Sequence, residues 1–225
     1  MLAGARRLMF RDRDEAGRRL AQRVAGSVVE RGAEVVVLGV PRGGVLVAAP
    51  VAAALETVLD VIVPRKLGAP GNPELAIGAL AVAGEQEFLV LDPRTTAWLE
   101  VSEDYIEAER ARQRAEIGRR EAAYRGSRPP LALSGRVVVL VDDGIATGMT
   151  IRAAVAAVRR SAPKEVVVAA PVAPLGSLRE IEAAGCRTLV LDTPWPFGAV
   201  GRFYVSFDSV EDEQVMRVLA ASQAP

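Results

Sequence analysis

Apolar residues recur along the chain as short unbroken runs separated by stretches of helical length. The runs at 35–38, 60–63, 136–141, 166–170 and 188–191 are short and rich in β-branched residues, the pattern of strands buried on both faces. Between them lie helical segments. Residues 12–31 place Asp12, Asp14 and Glu15 at the start and Leu20, Val24 and Val28 on one face, closing near Gly32. Residues 45–55 are Ala-rich, and 150–160 and 175–184 follow the same spacing. Strand and helix alternate most cleanly after residue 136, which implies a parallel sheet with right-handed crossovers. A last helix is expected at 211–219, before a frayed tail at 222–225.

Three stretches break this rhythm. Residues 64–73 hold three Pro and two Gly and read as a long loop. Residues 76–91 suggest two strands turning at Gly84-Glu85, a hairpin. Residues 102–126 read as a long charged helix. Ser102 is its candidate N-cap, Glu103 and Asp104 lie in the first turn, and pairs such as Glu107/Arg110 and Glu116/Arg120 sit at helical spacing. Because the charges alternate in sign, the expectation is a solvated or dimer-facing helix rather than a nucleic-acid contact. Beyond the last strand, Trp195, Phe197, Phe203, Tyr204 and Phe207 supply five of the ten aromatic residues of the chain. The architecture expected is an α/β parallel-sheet core at 32–192. A hairpin and long helix are inserted at about 76–126, and a small hood is built from 1–31 and 193–225.

Composition narrows the function. With 225 residues, half of them apolar and a quarter charged, the chain can bury the core of one domain, with or without a small appendage. Lys plus Arg equals Asp plus Glu at 28 each, so neither wrapping of nucleic acid nor binding to an anionic membrane is favoured. The single Cys186 makes no internal disulfide, which fits a reducing cytosol. The absence of His removes Ser-His-Asp triads, Cys-His dyads and His-based metal sites together. No apolar run reaches the ~20 residues of a membrane span, and no apolar segment follows the two Arg near the start, so a cytoplasmic protein is expected. Lys occurs only at 66 and 164.

In open α/β sheets ligands sit at the carboxyl ends of the strands. There the run 137–141 leads into Asp142, Asp143, Gly144, Ile145, Ala146, Thr147, Gly148, Met149 and Thr150. The glycines permit tight turns, the threonines offer hydroxyls, and the opening of a helix presents free N–H groups to an anion. Two adjacent carboxylates would repel a bare phosphate and better suit hydroxyls or a hydrated cation. The ligand implied carries a phosphate on one side and a diol on the other, as ribose 5-phosphate does. A capped helix start with an Asp-Gly turn would need only part of this string. Pro41, Arg42, Gly43 and Gly44 form a second candidate anion loop, and Arg65 with Lys66 a third.

Residues 138–150 resemble the thirteen-residue phosphoribosyl diphosphate (PRPP) signature of type I phosphoribosyltransferases. The likeness extends loosely over 34–210, and 65–78 is similar to a little-characterised bacterial branch of that family. The resemblance implies transfer of a 5-phosphoribosyl group from PRPP to a nitrogen acceptor, a nucleobase above all, with release of diphosphate. It assigns the 5-phosphate to 144–150, the ribose hydroxyls to Asp142 and Asp143, and the diphosphate to 41–44, with a cis Pro41–Arg42 peptide. Arg65 and Lys66 would close over the leaving group, and Trp195 or Phe197 would stack on the base, unless the aromatic cluster of 194–207 is only a small second core. Magnesium would be held through the substrate and through water on Asp142 and Asp143, with no direct protein ligand. A homodimer is implied. The Ala at 146, where 6-oxopurine enzymes carry an acidic residue, argues against hypoxanthine or guanine as acceptor. A non-catalytic PRPP- or nucleotide-binding regulator is the alternative, and an unrelated doubly wound domain with a magnesium-binding acidic pair is a more remote one.

Overall fold

Five parallel strands form the central sheet in the computed structural model, which describes residues 9–28 and 34–222. They are β1 (Val35–Gly39), β2 (Leu59–Val61), β6 (Val137–Val141), β7 (Glu165–Val172) and β8 (Arg187–Asp192), in the order β2-β1-β6-β7-β8. Side chains alternate across this sheet because the strand period is two. Val37, Val139 and Val167 face α1 (Arg13–Val28) and α2 (Gly43–Ala54) in one cluster. Val36, Leu38, Val138, Leu140 and Val168 face α5 (Met149–Arg159) and α6 (Leu175–Ala183) in the other. The continuous apolar runs are thus explained by helices covering both faces.

Register decides where the site can form. β1 and β6 pair in step from Val35 opposite Val137 to Gly39 opposite Val141. Both strands therefore end at the same level, and Val40 N–H donates to the Val141 carbonyl at 2.8 Å. The loop starting at Pro41 is delivered beside Asp142 by that pairing alone.

A separate antiparallel sheet, β3-β4-β5, comprises β3 (Arg65–Ala69), β4 (Asn72–Ala83) and β5 (Gln86–Leu91). Its hairpin turns at Gly84, with φ at 61°, and Glu85, as expected. The expected loop at 64–73 is corrected: it is a strand, a turn and the start of a second strand. Arg65 lies opposite Leu80, Lys66 opposite Ala79 and Leu67 opposite Gly78, with Leu67 and Ala69 buried. The Gly and Pro residues serve an irregular, tightly turned pair of strands. Gly71 turns at φ 70°, and a Cβ on Gly68 would stand 2.7 Å from the Pro73 Cα.

The long helix α4 (Glu103–Arg125) is capped by the Ser102 hydroxyl, which accepts from Tyr105 N–H. Its Ile117 and Tyr124 pack with Leu67, Ile77 and Leu80, so one face is committed to this sheet and is not solvated. A short helix, α3 (Pro93–Trp98), precedes it; its six residues carry too little period to be read from sequence. The N-terminal segment also departs from expectation. Leu20, Ala21, Val24 and Val28 of α1 belong to the main core, because α1 lies across α2. Only its beginning joins a hood-like cluster of Phe10, Ala16, Val172, Phe197, Phe203 and Tyr204. The expected closure at Gly32 lies outside the described residues, as does most of the expected tail. The last helix, α7 (Asp212–Ala221), packs against α2 and α4.

Candidate active site

A cavity of about 650 Å³ opens at the carboxyl ends of β1 and β6. Its walls include Pro41, Arg42 and Gly43 from the β1–α2 loop, and Arg65 and Lys66 from β3. Asp142 and Asp143 enter from the β6–α5 loop and Thr150 from the first turn of α5. Three segments singled out separately in the sequence thus converge on one space.

The acidic pair sits on the seam between the loops. A Cβ on Gly43 would fall 1.8 Å from Asp143 Oδ2, and one on Gly44 would fall 2.8 Å from the Val141 carbonyl and 2.9 Å from Asp142 Cα. The Gly-Gly dipeptide is required because backbone and acidic pair approach so closely. The Pro41–Arg42 peptide is cis, as the resemblance implied. Burial pushes the Asp142 carboxyl well above the usual carboxylate range, and the neighbouring Asp143 charge adds to it. Burial also raises Asp143, while Arg13 pulls it back by donating from Nε to Oδ2 at 2.7 Å. Arg13 also donates to the Asp208 carbonyl at 2.8 Å and lies 3.9 Å from the centre of the Phe207 ring. The Tyr204 hydroxyl donates to the Asp143 carbonyl at 2.6 Å. Arg13 and Tyr204 were not anticipated. They are 130 and 61 residues from Asp143, and no local pattern connects them.

The Gly/Thr loop curls from β6 into α5 with Gly148 left-handed at φ 75°. Its residues divide into two groups. Ile145 is buried and its N–H is already given to the Val172 carbonyl at 2.9 Å, so its amide is removed from the anion-binding set. Met149 is buried in the core, and a Cβ on Gly144 would strike Val200 at 2.3 Å. Ala146 and Thr147 are exposed, and Thr150 faces the cavity. The loop is neither extended nor closed over. The N–H groups that open α5 have no partner within the helix and remain suited to an anion.

The far wall is α4, which contributes Glu109, Arg112, Gln113 and Glu116. The reading of a solvated or dimer-facing helix misses this wall, since nothing in a salt-bridged helix distinguishes the face that meets a cavity. Arg65 is partly buried, and Arg120 lies near enough that burial first and this like charge second lower its pKa. Glu116 is held down to about 2 by hydrogen bonds from Arg119 and then Arg120. Arg42 reaches Glu211 at 3.3 Å.

The aromatic candidates do not meet this cavity. The Phe197 ring packs 5.1 Å from that of Phe203 inside the hood-like cluster, and Trp195 stands 92% exposed. Both are placed elsewhere because the segment 194–207 closes a small second core against Phe10.

Two Mycobacterium tuberculosis proteins (strains CDC 1551 and H37Rv) that carry a provisional phosphoribosyl transferase name are 41% identical over 211 residues, 94% of this chain. The chain spans only 46% of each of them. The crystal structure of TT1426 from Thermus thermophilus is 44% identical and has a TM-score of 0.77, covering 96% of this chain and all of that one. A hypothetical protein from Neisseria gonorrhoeae with bound ppGpp shares the fold alone, at 13% identity and a TM-score of 0.50 over 96% of this chain and 95% of that one. The sequence model of the phosphoribosyl transferase domain matches residues 12–202, and the chain belongs to that family.

Proposed function

We propose that the chain transfers the 5-phosphoribosyl group of PRPP to a nitrogen acceptor and releases diphosphate. The observation that carries the reading is the single cavity shared by the 41–43 loop, Arg65 and Lys66, and the acidic pair with Thr150. Each segment suits a different part of one ligand phosphorylated at two ends. The amides and hydroxyls that open α5 would take the 5-phosphate, and the acidic pair the ribose hydroxyls. Arg42, with the open backbone at Gly43 and Gly44, would take the diphosphate.

The reaction asks for no protein nucleophile, which suits a chain without His. Its needs are positioning and stabilisation of the leaving charge. Arg65 and Lys66 stand where diphosphate departs. They lie on a strand, so they act from a fixed position, and closure over the leaving group would have to come from elsewhere. Magnesium fits as an ion carried by the substrate. Among the described residues no three Asp, Glu, Cys or His side chains gather into a metal cage, and Asp143 is already paired with Arg13. Asp142 and Asp143 would hold its water, and the bound ion would offset the negative charge of diphosphate. The setting is cytoplasmic, and no helix among the described residues is long and apolar enough to cross a membrane.

Labelled PRPP, magnesium and a panel of nucleobases and amines test this directly. Acceptor-dependent diphosphate release is the expected result. Thermal stabilisation by PRPP without release would favour a non-catalytic sensor, and the absence of both release and stabilisation would overturn the reading.

A further inference from the structure

The cations lining the cavity are not equivalent. Arg42 is paired with Glu211 at 3.3 Å and Arg112 with Glu109 at 2.5 Å, while Lys66 is exposed. Arg65 is partly buried, and among the described residues it makes no ion pair. Its Nε donates to the neutral side-chain carbonyl Oε1 of Gln113 at 3.0 Å. Gln113 Nε2 in turn donates to Glu109 Oε1 at 2.8 Å. Glu109 and Gln113 are 5% and 8% exposed, one turn apart on α4, too enclosed to be ordinary surface polar groups. One turn earlier the Tyr105 hydroxyl donates to the Gly68 carbonyl at 2.9 Å and fastens the helix to β3.

The order of this chain is chemically determined. A carboxylate only accepts and a guanidinium only donates, so the amide between them has one usable orientation, with its oxygen toward Arg65. A carboxylate at 113 would bind Arg65 more strongly but neutralise it. A hydrocarbon would leave the guanidinium without a fixed direction. The amide holds the group without neutralising it, Glu109 turns its own charge away toward Arg112, and Glu116, whose charge also acts on Arg65, is itself paired with Arg119 and Arg120.

We propose that Gln113, oriented by Glu109, is a positioning residue that presents Arg65 to the diphosphate of the substrate as an uncommitted cation. The proposal rests on the phosphoribosyl reading and names the part of the ligand that Arg65 meets.

The test exchanges the two side chains. The double variant Glu109→Gln with Gln113→Glu keeps total charge and nearly keeps volume, but moves the carboxylate one turn to face Arg65. Binding is measured by calorimetry for magnesium diphosphate and for ribose 5-phosphate, which lacks the group Arg65 would hold. The expected result is a roughly tenfold loss of diphosphate affinity with ribose 5-phosphate unchanged. Gln113→Met, which has no charge to misplace, guards against a swap that does not fold. Its expected result is a loss of a few-fold for diphosphate alone. Wild-type diphosphate affinity in the swap, or equal losses for both ligands, would overturn the positioning role. A wild-type protein that binds ribose 5-phosphate but not diphosphate would do the same and leave the ribose site standing. A wild-type protein that binds neither would remove the phosphoribosyl reading itself.

Discussion

The acidic end of the cavity and its cationic wall are assembled by opposite routes. Asp142, Asp143 and Thr150 arrive within nine consecutive residues, carried out of β6 and into α5 by chain continuity. The wall joins Arg65 to Gln113 across 48 residues, from a strand of a second sheet to a helix standing beside it. The first is a local object with a vocabulary of Gly, Thr and Asp that can be recognised in isolation. The second exists only after two elements have docked, and its members are ordinary residues at ordinary spacings. Under the proposed function, a ligand's ribose end would be encoded in a motif and the grip on its leaving group in packing.

Four experiments put this contrast at risk. The largest effect is expected from replacing both carboxylates. Asp142→Asn with Asp143→Asn should cost on the order of a thousandfold in diphosphate release while circular dichroism remains that of the wild type. Normal turnover would detach the acidic pair from the chemistry. Next comes the wall. Arg65→Ala should lower turnover about a hundredfold and the exposed Lys66→Ala about tenfold, and the reverse ranking would mean that the fixed cation is the lesser one.

Gly44→Ala probes the seam where the two ends meet. The new Cβ would press on Val141 and Asp142, costing about 1–3 kcal/mol in denaturant unfolding. An unchanged midpoint would show that the loops have room to separate. The smallest effect concerns the acidic pair alone. A carboxyl whose folded pKa is raised by burial binds its proton more tightly folded than unfolded. The contribution of this group to stability is therefore fully present below its ordinary value of 3.8, and it is lost as pH rises from there through the raised folded value. Asp142→Asn should flatten that decline and raise the melting temperature by a few degrees at pH 7. A lower melting temperature than the wild type would contradict a buried, disfavoured charge.

The glycine-rich stretches show how far local reading reaches. Gly43 and Gly44 are legible as an anion loop with open backbone, and the structure adds that backbone and carboxylate approach closely there. Gly68 and Gly71 have the same composition cue, yet they shape a bulged strand pair, because Leu67 and Ala69 find a buried face that only docking against α4 and α5 creates. Phe197 makes the same point in reverse. Its aromatic ring suggested base stacking, but the return of Phe10 and Phe203 encloses it in a small core.

The amino-acid sequence alone determined the alternating strands and helices, the hairpin, the capped long helix and the PRPP-like loop, since each depends on residues within a few positions of one another. Tertiary structure decided that Arg13 pairs with Asp143, that Arg65 sits on a strand, and that α4 is a wall of the cavity. Those relations join residues tens of positions apart, and they are set by which apolar faces bury each other, a global balance that no short window of sequence contains.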